Sequence, residues 1–333
     1  MAEIDVSKMW AVVPVAGSGK RLQPHTFTRP KPLLFVAGQP IIGHILDQIR
    51  ALGVDKLVLV VGQQGQQILD YVRERGDFET IVSVEQGEPI GLAHAVSLAA
   101  PTVGADPLLV VYGDTVFEAD LTAVVRRGGD GLLGVRKVED PRRFGVVVVE
   151  SGRVTRLVEK PEEFVSDLAI CGVNVIADSA LLFACIDELI AGKLRTRGEF
   201  QLTDAFQIMV DKGARFGTFT LHSWFDCGTH ESLLDTNRHL LSRRNLPGVA
   251  GDVVIRPPVY VDPCAEIDGS VIGPYVSVGK GAVIRNAVLR NSIVGAGARV
   301  EGIVLDESIV GYRAMVNGRP SHLNVGDNSQ ITS

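Results

Sequence analysis

The sequence has few cysteines and no excess of basic residues, and each shortage excludes some functions. Its 333 residues include four scattered cysteines, Cys171, Cys185, Cys227 and Cys264, and none of them forms a C-x-x-C pair. This spacing favours neither a zinc site nor a disulfide framework, so we expect reduced thiols and a cytoplasmic protein. The net charge of −6 gives no electrostatic support for a nucleic-acid or membrane-surface partner.

Long apolar runs are also missing. No stretch approaches the length that crosses a bilayer, and residues 1–8 lack the apolar centre of a signal peptide. Apolar residues make up 46% of the chain and charged residues 22%, which is typical of globular proteins. The length is sufficient for two domains with a sizeable core.

Two common phosphate-binding motifs are absent, although a glycine-rich segment follows a predicted buried strand. A P-loop would need glycine at Pro14 and serine or threonine at Arg21, and a dinucleotide fingerprint would need glycine at Leu22. Small residues nevertheless leave backbone N–H groups open to an anion. These loop residues are Ala16, Gly17, Ser18 and Gly19.

Cations follow this loop closely, and they are Lys20, Arg21, Arg29 and Lys31. Prolines on both sides of Lys31 predict an extended segment that holds this lysine as a positioned charge. The residues alone leave two alternatives, a phosphate-binding loop or a basic surface loop after a strand.

The segment resembles the signature of the sugar-1-phosphate nucleotidylyltransferases, also called NDP-sugar pyrophosphorylases. The matching pattern is Gly17-x-Gly19-Lys20-Arg21-Leu22-x-Pro24-x-Thr26-x-x-x-Pro30-Lys31-Pro32-Leu33, in which the family usually has threonine at the position of Lys20. The resemblance implies that residues 16–20 wrap a nucleoside triphosphate. It also implies that Arg21 and Lys31 contact the phosphates.

Apolar periodicity predicts alternating strands and helices in the first half of the chain. Helices are expected over 40–52, 64–75 and 92–100, and strands over 57–61, 81–84 and 108–112. The alternation predicts an α/β fold with a Rossmann-like, mainly parallel sheet. Because ligands of such sheets bind at the carboxyl ends of strands, Gly17, Gln86 and Asp114 should share one rim.

The alternation changes beyond residue 131. Strands over 132–135, 146–149 and 154–158 follow one another and suggest antiparallel additions that could cover a substrate. Helices over 180–190, 202–212 and 229–244 and a strand over 216–221 complete a predicted catalytic domain of residues 1–245. Leu246-Pro247-Gly248 then reads as a linker.

The remaining segment, residues 250–333, has an apolar residue at every fifth or sixth position. The series is Val261, Ile267, Ile272, Val278, Ile284, Leu289, Val294, Val300, Leu305, Val310 and Val316. It resembles the hexapeptide repeats of a short left-handed parallel β-helix. Long versions of such a tail can be acetyltransferases, but here His322 is the only histidine. We therefore predict structural support or homo-oligomerisation, with an acyltransferase as the alternative.

Further segments resemble the family's substrate-binding motifs. Glu85-Gln86 followed by Gly91-Leu92-Ala93-His94 implies base recognition by Gln86 and Gly91, with His94 merely packed. Glu159-Lys160-Pro161 implies Glu159 on sugar hydroxyls and Lys160 on the sugar phosphate. The resemblance also implies a sugar pocket lined by Gly145, Gly172, Asn174 and Glu199. Without it, the 159–161 segment would be an exposed charged turn, and Thr203 a helix cap.

Asp114 and Asp226 are the candidate metal ligands. Either residue alone could be a cap, but with a triphosphate loop a shared Mg²⁺ is favoured, because Mg²⁺ commonly takes one or two carboxylates plus substrate phosphates. The resemblance places both aspartates on the metal.

The predicted reaction joins a nucleoside triphosphate to a sugar 1-phosphate, giving an NDP-sugar and pyrophosphate. A phosphate monoester has a second pKa of about 6, so the attacking group needs no strong base. Charge stabilisation would come from Arg21, Lys31, Lys160 and Mg²⁺ during direct in-line attack. Glucose 1-phosphate with dTTP or UTP is favoured. The family's thymidylyltransferases usually have glutamine at Pro32, so the base stays open, and a mannose-1-phosphate guanylyltransferase or a non-catalytic nucleotide-sugar sensor are alternatives.

Overall fold

The computed structural model describes residues 3–243 and 253–318, so the predicted linker and His322 lie outside the described residues. The chain divides into two compact units. The first contains the residues up to Leu34 and Gln39–Ser232, and the second contains Phe35–Gly38 and the residues from Leu233 onward. This division falls earlier than residue 245, the predicted end of the catalytic domain.

The bounds of the elements agree closely with most of the sequence expectations. The α-helices of the described residues are α1 (Ile41–Leu52), α2 (Gly65–Arg75), α3 (Leu92–Ser97), α4 (Ala100–Val103), α5 (Leu121–Val125), α6 (Ser179–Ala191), α7 (Leu202–Asp211) and α8 (His230–Ser242). The strands up to residue 226 are β1 (Trp10–Val15), β2 (Phe35–Val36), β3 (Gln39–Pro40), β4 (Lys56–Val61), β5 (Thr80–Glu85), β6 (Leu108–Val111), β7 (Thr115–Glu118), β8 (Gly131–Lys137), β9 (Gly145–Glu150), β10 (Arg153–Glu159), β11 (Leu168–Ile176), β12 (Phe216–Thr220) and β13 (Ser223–Asp226).

A mixed, mainly parallel sheet forms the centre of the first unit, as predicted. Its order is β10-β9-β11-β6-β1-β4-β5, and β8 pairs with both β11 and β12. Strands β6, β1, β4 and β5 are parallel neighbours, with Val12 of β1 opposite Val58 and Val110. These valine- and leucine-rich strands are buried on both faces, which explains their nearly continuous apolar runs.

The carboxyl ends of the parallel strands meet at one rim. The Gln86 backbone N–H, just after β5, donates to the Val61 carbonyl at 2.8 Å, and Gly113 N–H, just after β6, donates to Pro14 at 3.2 Å. The glycine loop follows β1 at the same edge. The predicted shared rim is therefore present.

Three local predictions were wrong. The expected helix 92–100 is two short helices, because Pro101 would clash with the preceding turn and lacks the N–H that continues a helix. Lys31–Leu33 is a 3₁₀ turn rather than an extended segment. Pro32 fits it, because its fixed φ suits the first residues of a helical turn, where no N–H donor is needed.

The third error is strand β11, which sequence periodicity missed. It lies between β9 and β6 and also pairs with β8. Its register shifts between Ile170 and Asn174, around Gly172 at φ 74°. This interruption breaks the alternation that would otherwise mark a strand.

The second unit stacks short parallel strands in three sheets. They are β14 (Val254–Ile255), β15 (Val259–Val261), β16 (Glu266–Asp268), β17 (Val271–Ile272), β18 (Val276–Val278), β19 (Val283–Arg285), β20 (Val288–Leu289), β21 (Ile293–Val294), β22 (Arg299–Glu301), β23 (Val304–Leu305), β24 (Ile309–Val310) and β25 (Met315–Asn317). The sheets are β14-β17-β20-β23, β15-β18-β21-β24 and β16-β19-β22-β25. Each strand from β15 to β25 holds one member of the predicted apolar series, and these residues pack into one core. The left-handed β-helix prediction is confirmed.

Candidate active site

Three adjoining hollows of the first unit lie at the rim of the sheet. The central hollow has a volume of about 280 Å³, the α2 hollow about 300 Å³ and the β9 hollow about 220 Å³. The central and α2 hollows share Ala16, Gly17 and Gln86, whereas the central and β9 hollows share Tyr112 and Asp114. The shared walls make the three hollows parts of one cleft.

The glycine loop is open on the side of the cleft. A Cβ atom on Gly17 would meet nothing within 4 Å, so its backbone is accessible to a ligand. Gly19 has a different role, because it adopts φ 60° and its carbonyl accepts a hydrogen bond from Thr26 Oγ1 at 2.9 Å. A Cβ on Gly19 would lie only 3.1 Å from the Cβ of Lys31. The loop is thereby packed against the lysine.

Lys31 lies between the two candidate metal ligands. Its Nζ is 2.6 Å from Asp114 Oδ2 and 3.8 Å from Asp226 Oδ1, and the lysine is buried. Burial raises the pKa of the Asp226 carboxyl, and so does the nearby Asp114, whereas Lys31 and Arg21 act in the opposite direction. Two carboxylates therefore already converge on one cation.

Arg21 is exposed beside this pair. A Cβ atom on Gly228 would lie 2.8 Å from Arg21 Nη2 and 2.9 Å from Asp226 Oδ1, which places the guanidinium next to the carboxylate. Lys20 is exposed, and like Gly19 and Arg21 it lines none of the three hollows.

Gln86 is held at the wall of the central hollow. Its Nε2 donates to the Gly91 carbonyl at 3.2 Å and lies 3.2 Å from His94 Nδ1. His94 is therefore a hydrogen-bonding partner rather than merely packed. Gly91 has φ 134°, and a Cβ there would overlap the backbone of Phe200, which supplies a structural reason for this glycine.

Glu159 has two partners in the β9 hollow. Thr203 Oγ1 donates to its Oε2 at 2.7 Å, and Lys160 Nζ lies 3.3 Å from its Oε1. Helix α7 begins after Gln201 with no side-chain cap, so the capping role expected for Thr203 was wrong. A Cβ on Gly145 would lie 2.7 Å from Glu159 Oε2, and glycine leaves room for the pair.

Three predicted sugar-pocket residues lie elsewhere. Glu199 lines the central hollow rather than the β9 hollow. Gly172 packs against the ring of Tyr112, and Asn174 is fully buried, with amide atoms that have no hydrogen-bond partner among the described residues. Neither Gly172 nor Asn174 lines any of the three hollows.

Sequence reasoning missed two aromatic residues of the cleft. Tyr112 lines two hollows, and burial raises its pKa, so its hydroxyl stays protonated. Trp224 lines the β9 hollow and packs edge-on against Phe144 at 5.1 Å. Each lies two positions before a candidate metal ligand, and this position was the available signal.

The donor set fits a magnesium ion that is shared with a substrate. No cluster of three or more His, Cys, Asp or Glu side chains that could hold a metal occurs in residues 3–243 and 253–318. Mg²⁺ commonly takes one or two carboxylates and completes its shell with phosphate oxygens and water. Asp114 and Asp226 supply that pair.

An anion-accessible loop, a buried lysine and paired carboxylates at the rim of an α/β sheet define an enzyme that acts on phosphorylated nucleotides. Comparison with known proteins agrees. Residues 10–243 match the nucleotidyl transferase family. The chain belongs to this family.

Named relatives are sugar-phosphate nucleotidyltransferases. The chain is 32% identical over 314 residues to glucose-1-phosphate thymidylyltransferase of Streptomyces antibioticus, covering 86% of this chain and 87% of that one. It is 29% identical, with the same coverage, to the low-salt glycan biosynthesis nucleotidyltransferase Agl11 of Haloferax volcanii. It is 33% identical to the bifunctional protein GlmU of Methanocaldococcus jannaschii, covering 76% of this chain but only 60% of that longer one.

Solved structures have the same fold. A Bacillus anthracis protein provisionally named a glucose-1-phosphate thymidylyltransferase, crystallised with sucrose, superposes with a TM-score of 0.63 at 26% identity. The match covers 72% of this chain and 98% of that one. Among the described residues, no helix is long and apolar enough to span a membrane.

Proposed function

We propose that this enzyme transfers a nucleoside monophosphate from a nucleoside triphosphate to a sugar 1-phosphate. The observation that carries the proposal is the position of Asp114, which lines both the central and the β9 hollows and contacts Lys31. Two anionic substrates that entered from the two hollows would meet at this cation and carboxylate group. The products are an NDP-sugar and pyrophosphate.

The hollows suggest how the substrates divide the cleft. The central and α2 hollows, with the open Gly17 backbone and the Gln86 side chain, suit the nucleotide. The β9 hollow, with Glu159 and Lys160, suits the sugar phosphate. We assign Glu199 to a sugar hydroxyl from the central hollow, and Gly172 and Asn174 to the support behind Tyr112.

The chain's residues supply positioned charge rather than a nucleophile. An oxygen of the sugar phosphate attacks the α-phosphorus in line, a new P–O bond forms, and the bond to pyrophosphate breaks. Arg21 and Lys31 would bind the triphosphate, and Lys160 would bind the sugar phosphate. Asp114 and Asp226 would hold Mg²⁺, which when bound neutralises phosphate charge. No proton needs to leave the attacking group near neutral pH, because its second pKa is about 6.

We favour glucose 1-phosphate with dTTP or UTP as the substrates. The Streptomyces relative is named for glucose 1-phosphate and thymidylyl transfer, and it matches nearly the whole chain. Initial rates of pyrophosphate release should be measured for dTTP, UTP, GTP, CTP and ATP, each with glucose, mannose and N-acetylglucosamine 1-phosphates. The highest kcat/KM is expected for glucose 1-phosphate with dTTP or UTP. A preference for GTP with mannose 1-phosphate would instead support a guanylyltransferase.

Thr203→Val tests the assignment of Glu159. The change keeps the side-chain volume but removes the hydroxyl that donates to Glu159 Oε2. A hydrogen bond to a charged group contributes about 1.5–3 kcal/mol, so we expect KM for the sugar phosphate to rise at least about tenfold. KM for the nucleotide should change little. An equal rise in both KM values would contradict a role confined to the sugar side.

We also propose that the protein is a cytoplasmic homo-oligomer and that the β-helix takes part in its assembly. The β-helix unit lies outside the cleft described above, because every lining residue belongs to the first unit. Its outer surface is therefore free for another purpose.

A further inference from the structure

One outer face of the β-helix is a ladder of valines. The outward positions of the sheet β14-β17-β20-β23 are Val254, Val271, Val288 and Val304, and each is in register with the next. Val254, Val288 and Val304 are 53%, 39% and 68% exposed. We call this surface the valine face.

The other two faces of the same unit differ from it. On the sheet β15-β18-β21-β24, the outward Ser277 is buried and donates to Asn237 of α8 at 2.6 Å, so the chain's own helix covers that face. On the sheet β16-β19-β22-β25, most outward positions are polar, and they are Glu266, Asp268, Arg285, Arg299, Glu301 and Asn317. High β-propensity alone would favour valine on every exposed strand, so it does not explain why the valines lie on one face.

We propose that the valine face binds the valine face of a second copy of this chain. The charges beside the ladder favour an antiparallel arrangement of the coils. The row two positions beyond the valines reads Arg256, Gly273, Arg290 and Asp306. A two-fold axis parallel to the strands opposes the first coil of one copy to the fourth coil of the other. Arg256 of each copy then faces Asp306 of the other, and the contact occurs twice.

The state of these two side chains supports the pairing. Arg256 is exposed and forms no ion pair with any residue in the described ranges. Asp306 accepts from Arg290 Nε at 2.8 Å, but its side chain remains 37% exposed and can accept more. Four strands spaced about 4.8 Å apart give a ladder of about 15 Å. That length suits the apolar centre of an interface, with the charged row as its rim.

Val288→Lys tests the proposal by placing a charge in the centre of the ladder. The matched control is Met315→Lys, which adds the same charge at an exposed strand position of the polar face. Sedimentation equilibrium over a range of concentrations should show that Val288→Lys at least halves the mass of the wild-type assembly. The dissociation constant should rise at least about a hundredfold, because two unpaired charges would be buried. Met315→Lys should keep the wild-type mass.

Charge exchange tests the register and does not depend on a change in the ladder. Arg256→Asp and Asp306→Arg should each weaken assembly by creating a like-charged pair, and the double variant should restore it. An unchanged mass for Val288→Lys, or no recovery in the double variant, would overturn the proposal. A monomeric wild type that assembles only after deletion of residues 319–333 would also overturn it. That result would identify this chain's own C-terminal segment as the occupant.

A second inference rests on the hydrogen bonds of Gln86 and depends on the proposed function. Both hydrogens of Nε2 are directed at acceptors, one at the Gly91 carbonyl and the other at His94 Nδ1. A backbone carbonyl can only accept, so this network fixes which end of the amide is nitrogen. The carbonyl oxygen Oε1 is left as the atom that Gln86 offers to a ligand.

We infer that His94 is a positioning residue that sets the base preference through Gln86. An acceptor held at this point binds a base N–H, such as N3–H of uracil or thymine or N1–H of guanine. It repels the unprotonated N3 of cytosine and N1 of adenine. A glutamine without the histidine could turn its amide over and accept either pattern.

His94→Phe tests this role because it removes the acceptor and keeps a planar ring. His94→Asn is the matched control, because its amide oxygen can replace Nδ1. UTP and CTP are suitable probes, because their bases differ only at position 4 and in the protonation of N3. His94→Phe should lower the preference for UTP over CTP about tenfold, the scale of one hydrogen bond. The change should appear in KM with kcat nearly unchanged, and His94→Asn should retain the wild-type preference.

The outcomes separate this inference from the proposed function. An equal loss of kcat with both nucleotides would show a merely structural role and overturn the inference, as would an unchanged preference or a wild type that does not distinguish UTP from CTP. If the wild type releases no pyrophosphate with any nucleotide, the proposed function itself fails.

Discussion

Replacing Lys31 by methionine should lower kcat/KM for pyrophosphate release at least about a hundredfold, the scale of losing one oriented charge donor. Methionine fills the buried space of the lysine stem but brings no charge. Lys31 Nζ is the cation nearest to Asp114 in the cleft, at 2.6 Å. Without it, the triphosphate would meet two carboxylates with less neutralising charge. Initial rates at saturating and limiting nucleotide would separate kcat from KM.

The control for Lys31→Met is Lys212→Ala. Lys212 pairs with Glu188 at 2.7 Å in a surface ion pair outside the three hollows, and such pairs contribute little to stability. This variant should keep activity within about twofold, because it touches no residue of the cleft. A folded Lys31→Met protein with near-normal rates would contradict the phosphate-binding role of the lysine.

Asp114→Asn and Asp226→Asn should each reduce magnesium-dependent turnover at least about a thousandfold, because a metal contributes several kcal/mol of charge stabilisation. Asparagine preserves the shape of the side chain and removes its negative charge. The two carboxylates already share one cation in the structure, at 2.6 and 3.8 Å from Lys31 Nζ. Turnover should be measured as a function of Mg²⁺ concentration, and part of the loss should be recovered at high Mg²⁺.

Asp178→Asn is the matched control, because this aspartate is a helix cap. Its side chain accepts from Leu181 N–H at the start of α6, and asparagine caps helices equally well. This variant should keep both its activity and its Mg²⁺ dependence. If Asp114→Asn or Asp226→Asn behaves like Asp178→Asn, that residue is not a metal ligand.

Features with a regular period could be predicted from the sequence. The alternation of helices and strands located the parallel strands β4, β5 and β6, because buried parallel strands are nearly continuous apolar runs. The five- and six-residue spacing predicted the β-helix, because each coil needs one inward side chain per strand. The shared rim of Gly17, Gln86 and Asp114 followed from the sheet alone.

Features that depend on contacts distant in sequence could not be predicted. Thr203 and Glu159 are 44 positions apart, and no local pattern indicates that they share a hydrogen bond. The structural roles of Gly91 and Gly145 arise from Phe200 and Glu159, which approach their backbones from other segments. The same holds for Glu199, whose motif suggested the sugar pocket although its side chain lines the central hollow.

The central claim is that one cleft joins a nucleoside triphosphate to a sugar 1-phosphate. ³¹P NMR of the full-length protein with Mg²⁺, dTTP or UTP and glucose 1-phosphate tests it most directly. The account predicts that the sugar-phosphate and triphosphate signals decline together, while the diphosphate signals of an NDP-sugar and an equal amount of pyrophosphate appear. Nucleotide consumption that yields inorganic phosphate without an NDP-sugar, or signals that stay unchanged with every sugar phosphate and nucleotide tested, would contradict it.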